Sequence, residues 1–351
     1  MKIHEKYIQR CLELAKNGLG TTRPNPVVGC VIVCDGVIIG EGYTSPYGQN
    51  HAEVNAIASV KDKSLLQQST LYVSLEPCNH HGKTPPCSDL IVKSKIPKVV
   101  VGVIDEHSIV AGNGIKHLKK NDCEVIVGVL EGKCKEINKR FFTFHNKKRP
   151  YIVLKWAETR DGFIDVIREK DAEKKPNWIS NAYSQQLVHK WRSEERSILV
   201  GTNTVVEDNP KLNVRKWFGG NPIRLILDNS LRIPLDFHVF DGSVKTIVFT
   251  SSKSLFLEGT ENLQIEHVDY AENIPQQICD VLYKNNIQSV IIEGGAQTLR
   301  GFINSDLWDE ARIFIGNKKF SKGLKSPKIE GVLKSIEEID DDILKIMTPL
   351  D

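Results

Sequence analysis

Glu76-Pro77-Cys78-Asn79-His80-His81-Gly82-Lys83-Thr84-Pro85-Pro86-Cys87 places two cysteines at the ends of a loop rich in histidine and proline. The apolar run at residues 71–75 reads as a strand, so Cys78 follows a strand end. Cys87, after Pro85-Pro86, opens a helical pattern. Upstream, His51-Ala52-Glu53 opens a second helix, with Ala52, Ala56, Ile57 and Val60 on one face. One imidazole and two thiols are the ligand set of a catalytic zinc that keeps its fourth position for water; a closed structural site would need a fourth protein ligand, with His80 and His81 the candidates. Helix starts favour thiolates, because backbone N–H groups point outward there. Glu53, two residues after His51, can reach metal-bound water without being a ligand. It would take a proton there and return it to a substrate ring nitrogen and a leaving amine.

Outward from this core, strands and helices alternate. Residues 27–34 and 37–40 read as a hairpin about Asp35-Gly36. Residues 99–103 and 124–127 read as strands, and 114–120 and 130–142 as helices. Alternation of this kind predicts an α/β layer structure. The basic, proline-ended segment His145-Asn146-Lys147-Lys148-Arg149-Pro150 marks a boundary, giving domains 1–146 and 147–351. The second half restarts the pattern with strands at 151–155, 198–201, 224–228, 246–250 and 290–293, and helices at 183–191 and 275–284. Residues 165–177 are charged and aperiodic, and read as a mobile loop. Three features of this half stand out. Lys155 ends a strand, Thr202-Asn203-Thr204-Val205-Val206-Glu207-Asp208-Asn209-Pro210 follows another, and Glu293-Gly294-Gly295-Ala296 turns a strand into a helix. Glycines at such a turn let backbone N–H groups approach a phosphate. The pattern is not G-x-G-x-x-G, so a Rossmann domain is not supported.

Composition narrows the function classes. The 351 residues are 40% hydrophobic and 26% charged, enough for ordinary cores and against a disordered chain. Lys and Arg number 47 against 44 acidic residues, a net of +3, without the basic excess of a nucleic-acid binder. No apolar run reaches the roughly 18 residues of a membrane span, and the N-terminus has no apolar signal-peptide core. A cytoplasmic protein is expected, in which the eight cysteines are thiols rather than disulfides. Cys11, Cys30, Cys34, Cys123, Cys134 and Cys279 lack the setting of Cys78 and Cys87 and are expected in cores.

The H-x-E … P-C … C pattern is that of zinc deaminases acting on nucleobase rings. Deaminases of nucleic acids and free nucleosides usually carry P-C-x-x-C, whereas here residues 79–86 intervene. That loop, Arg23-Pro24-Asn25-Pro26-Val27-Val28-Gly29-Cys30-Val31-Ile32-Val33 and His51-Ala52-Glu53-Val54-Asn55-Ala56 closely resemble the bifunctional deaminase–reductase family of bacterial riboflavin biosynthesis. The resemblance extends over nearly the whole chain. It implies a cytidine-deaminase-like α/β/α sandwich followed by a dihydrofolate-reductase-like α/β domain. The implied reactions are loss of the 2-amino group of 2,5-diamino-6-(5-phosphoribosylamino)pyrimidin-4-one as ammonia, then NADPH-dependent reduction of the ribosyl group to ribityl.

Carried over by residue, the resemblance gives zinc to His51, Cys78 and Cys87 and proton transfer to Glu53. It gives the deaminase substrate to Asn25, His80, Lys83 and Thr84. Trp178, Thr204, Asp208, Gly295, Ala296, Gln297, Thr298, Leu299, Arg300 and Gly301 are implied to contact NADPH. Lys155, Arg192, Leu212, Arg215 and Glu293 are implied to face the reductase substrate, the arginines suiting its phosphate. A homo-oligomer joined through the reductase half is also implied. Departures cluster in that half. Glu158 and Arg160 stand where small or apolar residues are usual, Phe163 where a basic residue is usual, and Pro176 where a serine is common. A glutamate near a pyrophosphate would repel it, so a deaminase with an impaired reductase is one alternative. A nucleic-acid base deaminase with an appended binding domain is the other, opposed by the near-neutral charge and the long intercysteine loop.

Overall fold

Tyr7, Ile8, Cys11, Leu12 and Ala15 are buried at helical spacing and make the N-terminal segment the helix α1 (Lys2–Ala15). The apolar run after it forms β1 (Gly29–Cys34), buried along its full length, and turns through Asp35-Gly36 into β2 (Val37–Tyr43). α2 (Ala52–Ser59), β3 (Thr70–Leu75), α3 (Cys87–Lys93), β4 (Lys98–Val103), α4 (Asn113–Lys120) and β5 (Glu124–Val127) follow in alternation. The five strands form one sheet in the order β2-β1-β3-β4-β5, antiparallel at β2-β1-β3 and parallel from β3 onward. The computed structural model describes residues 2–80, 85–106, 112–168, 176–252 and 262–350, and divides the chain into two units, Met1–Lys148 and Arg149–Asp351.

The packing of α2 on β2 needs glycine. A Cβ on Gly42 would lie 2.5 Å from the Ala56 nitrogen and 2.6 Å from the Ala52 oxygen, so its absence lets α2 lie directly on β2. That contact sets where the N-terminus of α2, and hence His51, stands. The single helix expected over 130–142 is two, α5 (Glu131–Ile137) and α6 (Lys139–Lys147). The break is Asn138, whose buried amide donates to the Val27 oxygen and accepts from the Val27 nitrogen, both at 2.9 Å. Tertiary demand at Val27 thus overrides helix continuity. α6 runs to Lys147, so the first part of the segment read as a linker is the last turn of a helix. The six cysteines expected in cores are all buried.

In the second unit the order is β6 (Tyr151–Thr159), β7 (Phe163–Asp165), α7 (Ala182–Glu194), β8 (Ser197–Gly201), α8 (Thr202–Asp208), β9 (Ile223–Leu227), β10 (Thr246–Thr250), β11 (Leu263–His267), α9 (Ile274–Lys284), β12 (Ser289–Gly294), α10 (Ala296–Asn304), β13 (Glu310–Gly316), β14 (Leu324–Lys325), β15 (Val332–Ile339) and β16 (Asp342–Thr348). A nine-stranded sheet runs β11-β10-β9-β8-β12-β6-β13-β16-β15, parallel up to β13 and antiparallel beyond, and β14 pairs separately with β7. Alternate residues feed two cores. Ile152, Leu154 and Ile292 pack with Leu282 of α9 and Phe302 of α10, while Val153, Ile198 and Ile291 pack with Val188 and Trp191 of α7. Covering on both faces explains why these strands read as continuous apolar runs. β7, β11 and β13 to β16 were not legible as strands. In β15 most residues are exposed, so burial leaves little apolar pattern there.

Candidate active sites of the two units

His51 is the N-cap of α2, Cys78 lies in the loop after β3, and Cys87 is the first residue of α3. Their ligand atoms all lie within 4.8 Å of one another. His51 Nδ1 is 3.6 Å from Cys78 Sγ and 3.3 Å from Cys87 Sγ, and the Cys87 backbone N–H donates to Cys78 Sγ at 3.3 Å. The Cys87 contact, with His51, holds the Cys78 thiol well below its ordinary value despite burial. Cys87, bonded to that sulfur and buried, is pushed up. Glu53 is 4% exposed, and burial, then the neighbouring Cys78, raises its carboxyl to about 7. A carboxyl poised there can both accept and give a proton near neutrality. Among the described residues no fourth His, Cys, Asp or Glu joins the cluster. His80 is exposed and outside it, and His81, Lys83 and Thr84 lie outside the described residues. Asn25 sits in the turn before β1, its backbone N–H donating to the Thr22 oxygen at 3.0 Å.

Sequence reasoning overlooked Glu76, which organises this site from below. Its buried carboxylate accepts from the backbone N–H groups of Asp105 (3.3 Å), Gly112 (3.0 Å), Gly114 (2.9 Å) and Ile115 (3.2 Å). It thereby caps α4 with negative charge at the helix start. A Cβ on Gly114 would fall 1.9 Å from the Pro77 oxygen, so α4 packs directly on the peptide that precedes Cys78. A single glutamate before the Pro-Cys pair carries no signal of that convergence.

The second unit holds a cavity of about 1200 Å³ at the carboxyl ends of the parallel strands β6, β8, β9 and β12, where ligands of open α/β sheets bind. Every residue implied to take the reductase substrate or NADPH lines it: Lys155, Arg192, Leu212, Arg215 and Glu293, then Trp178, Thr204, Asp208 and residues 295–301. Arg192 grips Glu293 with two bonds, Nε–Oε1 at 2.8 Å and Nη2–Oε2 at 2.7 Å, and Lys155 Nζ stands 3.7 Å from Glu293 Oε2. Burial would raise the Glu293 carboxyl, but Arg192 and Lys155 outweigh it and hold it at about 2. Burial, reinforced by Arg192, lowers the Lys155 amine despite Glu293. At the other wall, Gly295 caps α10 in extended conformation after the cis Gly294–Gly295 peptide. A Cβ on Gly201 would fall 2.7 Å from Thr298 Oγ1, so a bare Gly201 lets the end of β8 approach α10.

The expected repulsion by Glu158 is corrected by the structure. Glu158 does not line the cavity, and its carboxylate accepts from the Trp156 indole N–H at 2.9 Å. Phe163 is buried under Lys325, whose Nζ lies 5.0 Å from the ring centroid, and Pro176 does line the cavity. Of the segment read as a loop, residues 165–168 and 176–177 are described, Asp165 ending β7, and 169–175 lie outside the described residues. Arg168, missed in the sequence, lines the cavity and holds Asp165 and Asp208, each at 3.2 Å.

Residues 1–103 match the cytidine and deoxycytidylate deaminase zinc-binding region, and residues 150–343 match the RibD C-terminal domain. The riboflavin biosynthesis protein RibD of Aquifex aeolicus is 37% identical over 96% of this chain and 93% of its own length. That of Actinobacillus pleuropneumoniae is likewise 37% identical, over 96% and 93%. The chain belongs to the riboflavin deaminase–reductase (RibD) family. A diaminohydroxyphosphoribosylaminopyrimidine deaminase/5-amino-6-(5-phosphoribosylamino)uracil reductase from Thermotoga maritima superposes with a TM-score of 0.89, at 37% identity, covering 99% of each chain. Acinetobacter baumannii RibD gives 0.89 at 30% identity, covering 100% of this chain and 99% of that one. The RibD fold is thus present in both halves, cytidine-deaminase-like and then dihydrofolate-reductase-like. As a RibD-family member the protein is a bifunctional enzyme of riboflavin biosynthesis, a zinc-binding deaminase joined to an NADPH-dependent reductase. Among the described residues no helix is long and apolar enough to cross a membrane.

Proposed function

We propose that His51, Cys78 and Cys87 hold the zinc, that Glu53 moves the protons of deamination, and that domains 1–146 and 147–351 each perform one of two consecutive steps. The observation that carries this reading is the convergence of one imidazole and two sulfurs within 4.8 Å, beside a buried carboxyl raised to about 7. An N/S₂ donor set fits zinc with a position left open. The cavity volume and the bare glycine turn at α10 fit a dinucleotide phosphate. When bound, zinc supplies a Lewis acid for water and NADPH supplies a hydride.

The substrate we assign is the one in the name of the Thermotoga maritima protein, a diaminopyrimidine carrying a phosphoribosylamino group. Hydrolysis replaces its 2-amino group with oxygen, and Glu53 carries the water proton to the ring nitrogen and then to departing ammonia. Asn25 and His80, with Lys83 and Thr84, bind this substrate. In the second unit the ribosyl C1 accepts hydride, its bond to the ring oxygen breaks, and Lys155 gives that oxygen a proton. A buried amine with a lowered pKa suits that task. Arg192 is already paired with Glu293, whereas Arg215 contacts Asn213 Oδ1 at 3.2 Å and a backbone-anchoring histidine, which leaves its guanidinium for the substrate phosphate. Leu212 packs beside the substrate. Trp178, Thr204, Asp208 and residues 295–301 take NADPH. We further place the enzyme in the cytoplasm, acting on a small molecule rather than nucleic acid, as a homo-oligomer joined through the second unit. The edge strand β15, which exposes Val332, Leu333 and Ile336, supports that last point.

The deciding experiment follows ammonia and NADPH together on the zinc-loaded protein. Ammonia should appear from the diaminopyrimidine first, and NADPH should be consumed only afterwards. Persistent deamination in Glu53→Gln with zinc still bound would sink the proton-transfer assignment. Light scattering at several concentrations tests the oligomer, and a monomer would remove it.

A further inference from the structure

One face of α7 runs along the loop that carries Arg215. Gln185, His189, Arg192 and Ser193 fall at helical spacing along it, and each meets the segment that carries Arg215. Lys216 Nζ donates to Gln185 Oε1 at 2.6 Å, and Arg192 Nη1 donates to the Asn213 oxygen at 3.3 Å. Gly219 presses so close to Ser193 that a Cβ on it would lie 2.6 Å from the Ser193 Cβ. At the centre of the row, the backbone N–H of Arg215 donates to His189 Nδ1 at 3.3 Å. His189 itself is 3% exposed.

Resting on the reading of Arg215 as a substrate ligand, we infer that His189 is a positioning residue for the reductase step. It acts through Arg215 by accepting the backbone N–H that sets the direction of that guanidinium into the cavity. The acceptor role needs a neutral ring protonated at Nε2. Burial, then Arg192 and Arg215, lowers the histidine to about 4, so the ring is neutral at working pH. The geometry also explains why a histidine serves here. Nδ1 is the ring nitrogen nearest the helix, and an asparagine Oδ1 can occupy the same place, whereas a leucine fills the volume without accepting.

The test uses the full-length enzyme and the deaminated pyrimidine as substrate. His189→Leu should raise the KM for that substrate about tenfold, the scale of one lost net hydrogen bond. KM for NADPH, and ammonia release, should stay unchanged. His189→Asn should restore the substrate KM to within about threefold, on the same scale. In an Arg215→Ala background the His189→Leu effect should vanish, because contacts acting through one partner are not additive. An equal effect in that background, or failure of the asparagine to rescue, would overturn the inference. If Arg215→Ala alone leaves the substrate KM unchanged, the reading of Arg215 fails instead, and the two failures are told apart. Should the leucine variant not fold, His189→Gln, whose amide sits one carbon farther out, replaces it and is expected to act as the leucine does. A glutamine as good as asparagine would also overturn the inference.

Discussion

The two active sites are built in opposite ways. The metal site comes from a short span, His51 to Cys87, held at two helix starts and one strand end. The reductase cavity gathers residues from β6, α7, β8, α8, β12, α10 and the loop after α8. Local chemistry makes the first site: N–H groups at helix starts favour thiolates wherever such starts converge. Long-range charge pairing makes the second: Glu293, Arg192 and Lys155 have meaning only together, because a lone buried charge would be prohibitive. The first site therefore breaks at single atoms, and the second breaks through loss of balance.

That contrast can be tested in order of expected effect. Glu53→Gln should lower deamination by about 10²–10⁴, the usual worth of a positioned acid–base group. Zinc content by mass spectrometry, and NADPH oxidation with deaminated substrate, should both persist. Arg192→Leu should destabilise the second unit by about 3–5 kcal/mol in denaturant unfolding, since it removes both hydrogen bonds to Glu293 and leaves only Lys155 at 3.7 Å. Zinc content should not change. Gly114→Ala forces the Pro77 carbonyl away and should weaken zinc binding by about 10–100-fold, the scale for groups that support ligands, as read by chelator competition.

Acid offers a subtler test. Glu293 sits at about 2, below the usual carboxylate value of roughly 4. Its pairing thus contributes fully above that usual value and is lost as pH falls through about 2. The stability gap between the native protein and Glu293→Gln should narrow as pH is lowered across that window. A gap that widens would contradict the charge balance described here. The smallest effect belongs to Glu158→Gln, which should change the KM for NADPH by less than about threefold. Its carboxylate faces the Trp156 indole rather than the cavity. A large gain in NADPH affinity would put Glu158 back at the pyrophosphate.

Legibility in the sequence follows the same contrast. His51, Cys78 and Cys87 were readable as candidates because histidine and cysteine are scarce, 10 and 8 of 351 residues, and Glu53 because it stands two residues after His51. Glu76 was not, because one glutamate among many gives no sign that four amides converge on it. Of the parallel strands, β6, β8, β9, β10 and β12 were readable as apolar runs, since both faces are covered. β15 was not, being an exposed edge. Asn138 shows a different limit, where a residue compatible with helix breaks one to satisfy a distant backbone pair at Val27.

By itself, then, the sequence determined the α/β alternation, the two-part organisation and the candidate zinc ligands His51, Cys78 and Cys87, because periodicity and local spacing are properties of the chain alone. Tertiary structure decided which way Glu158 faces, that Arg192 is paired with Glu293, and that His189 of α7 accepts the backbone N–H of Arg215. Those outcomes depend on which distant charges and backbone groups share a buried space, and pairing across such distances is settled only when the chain has folded.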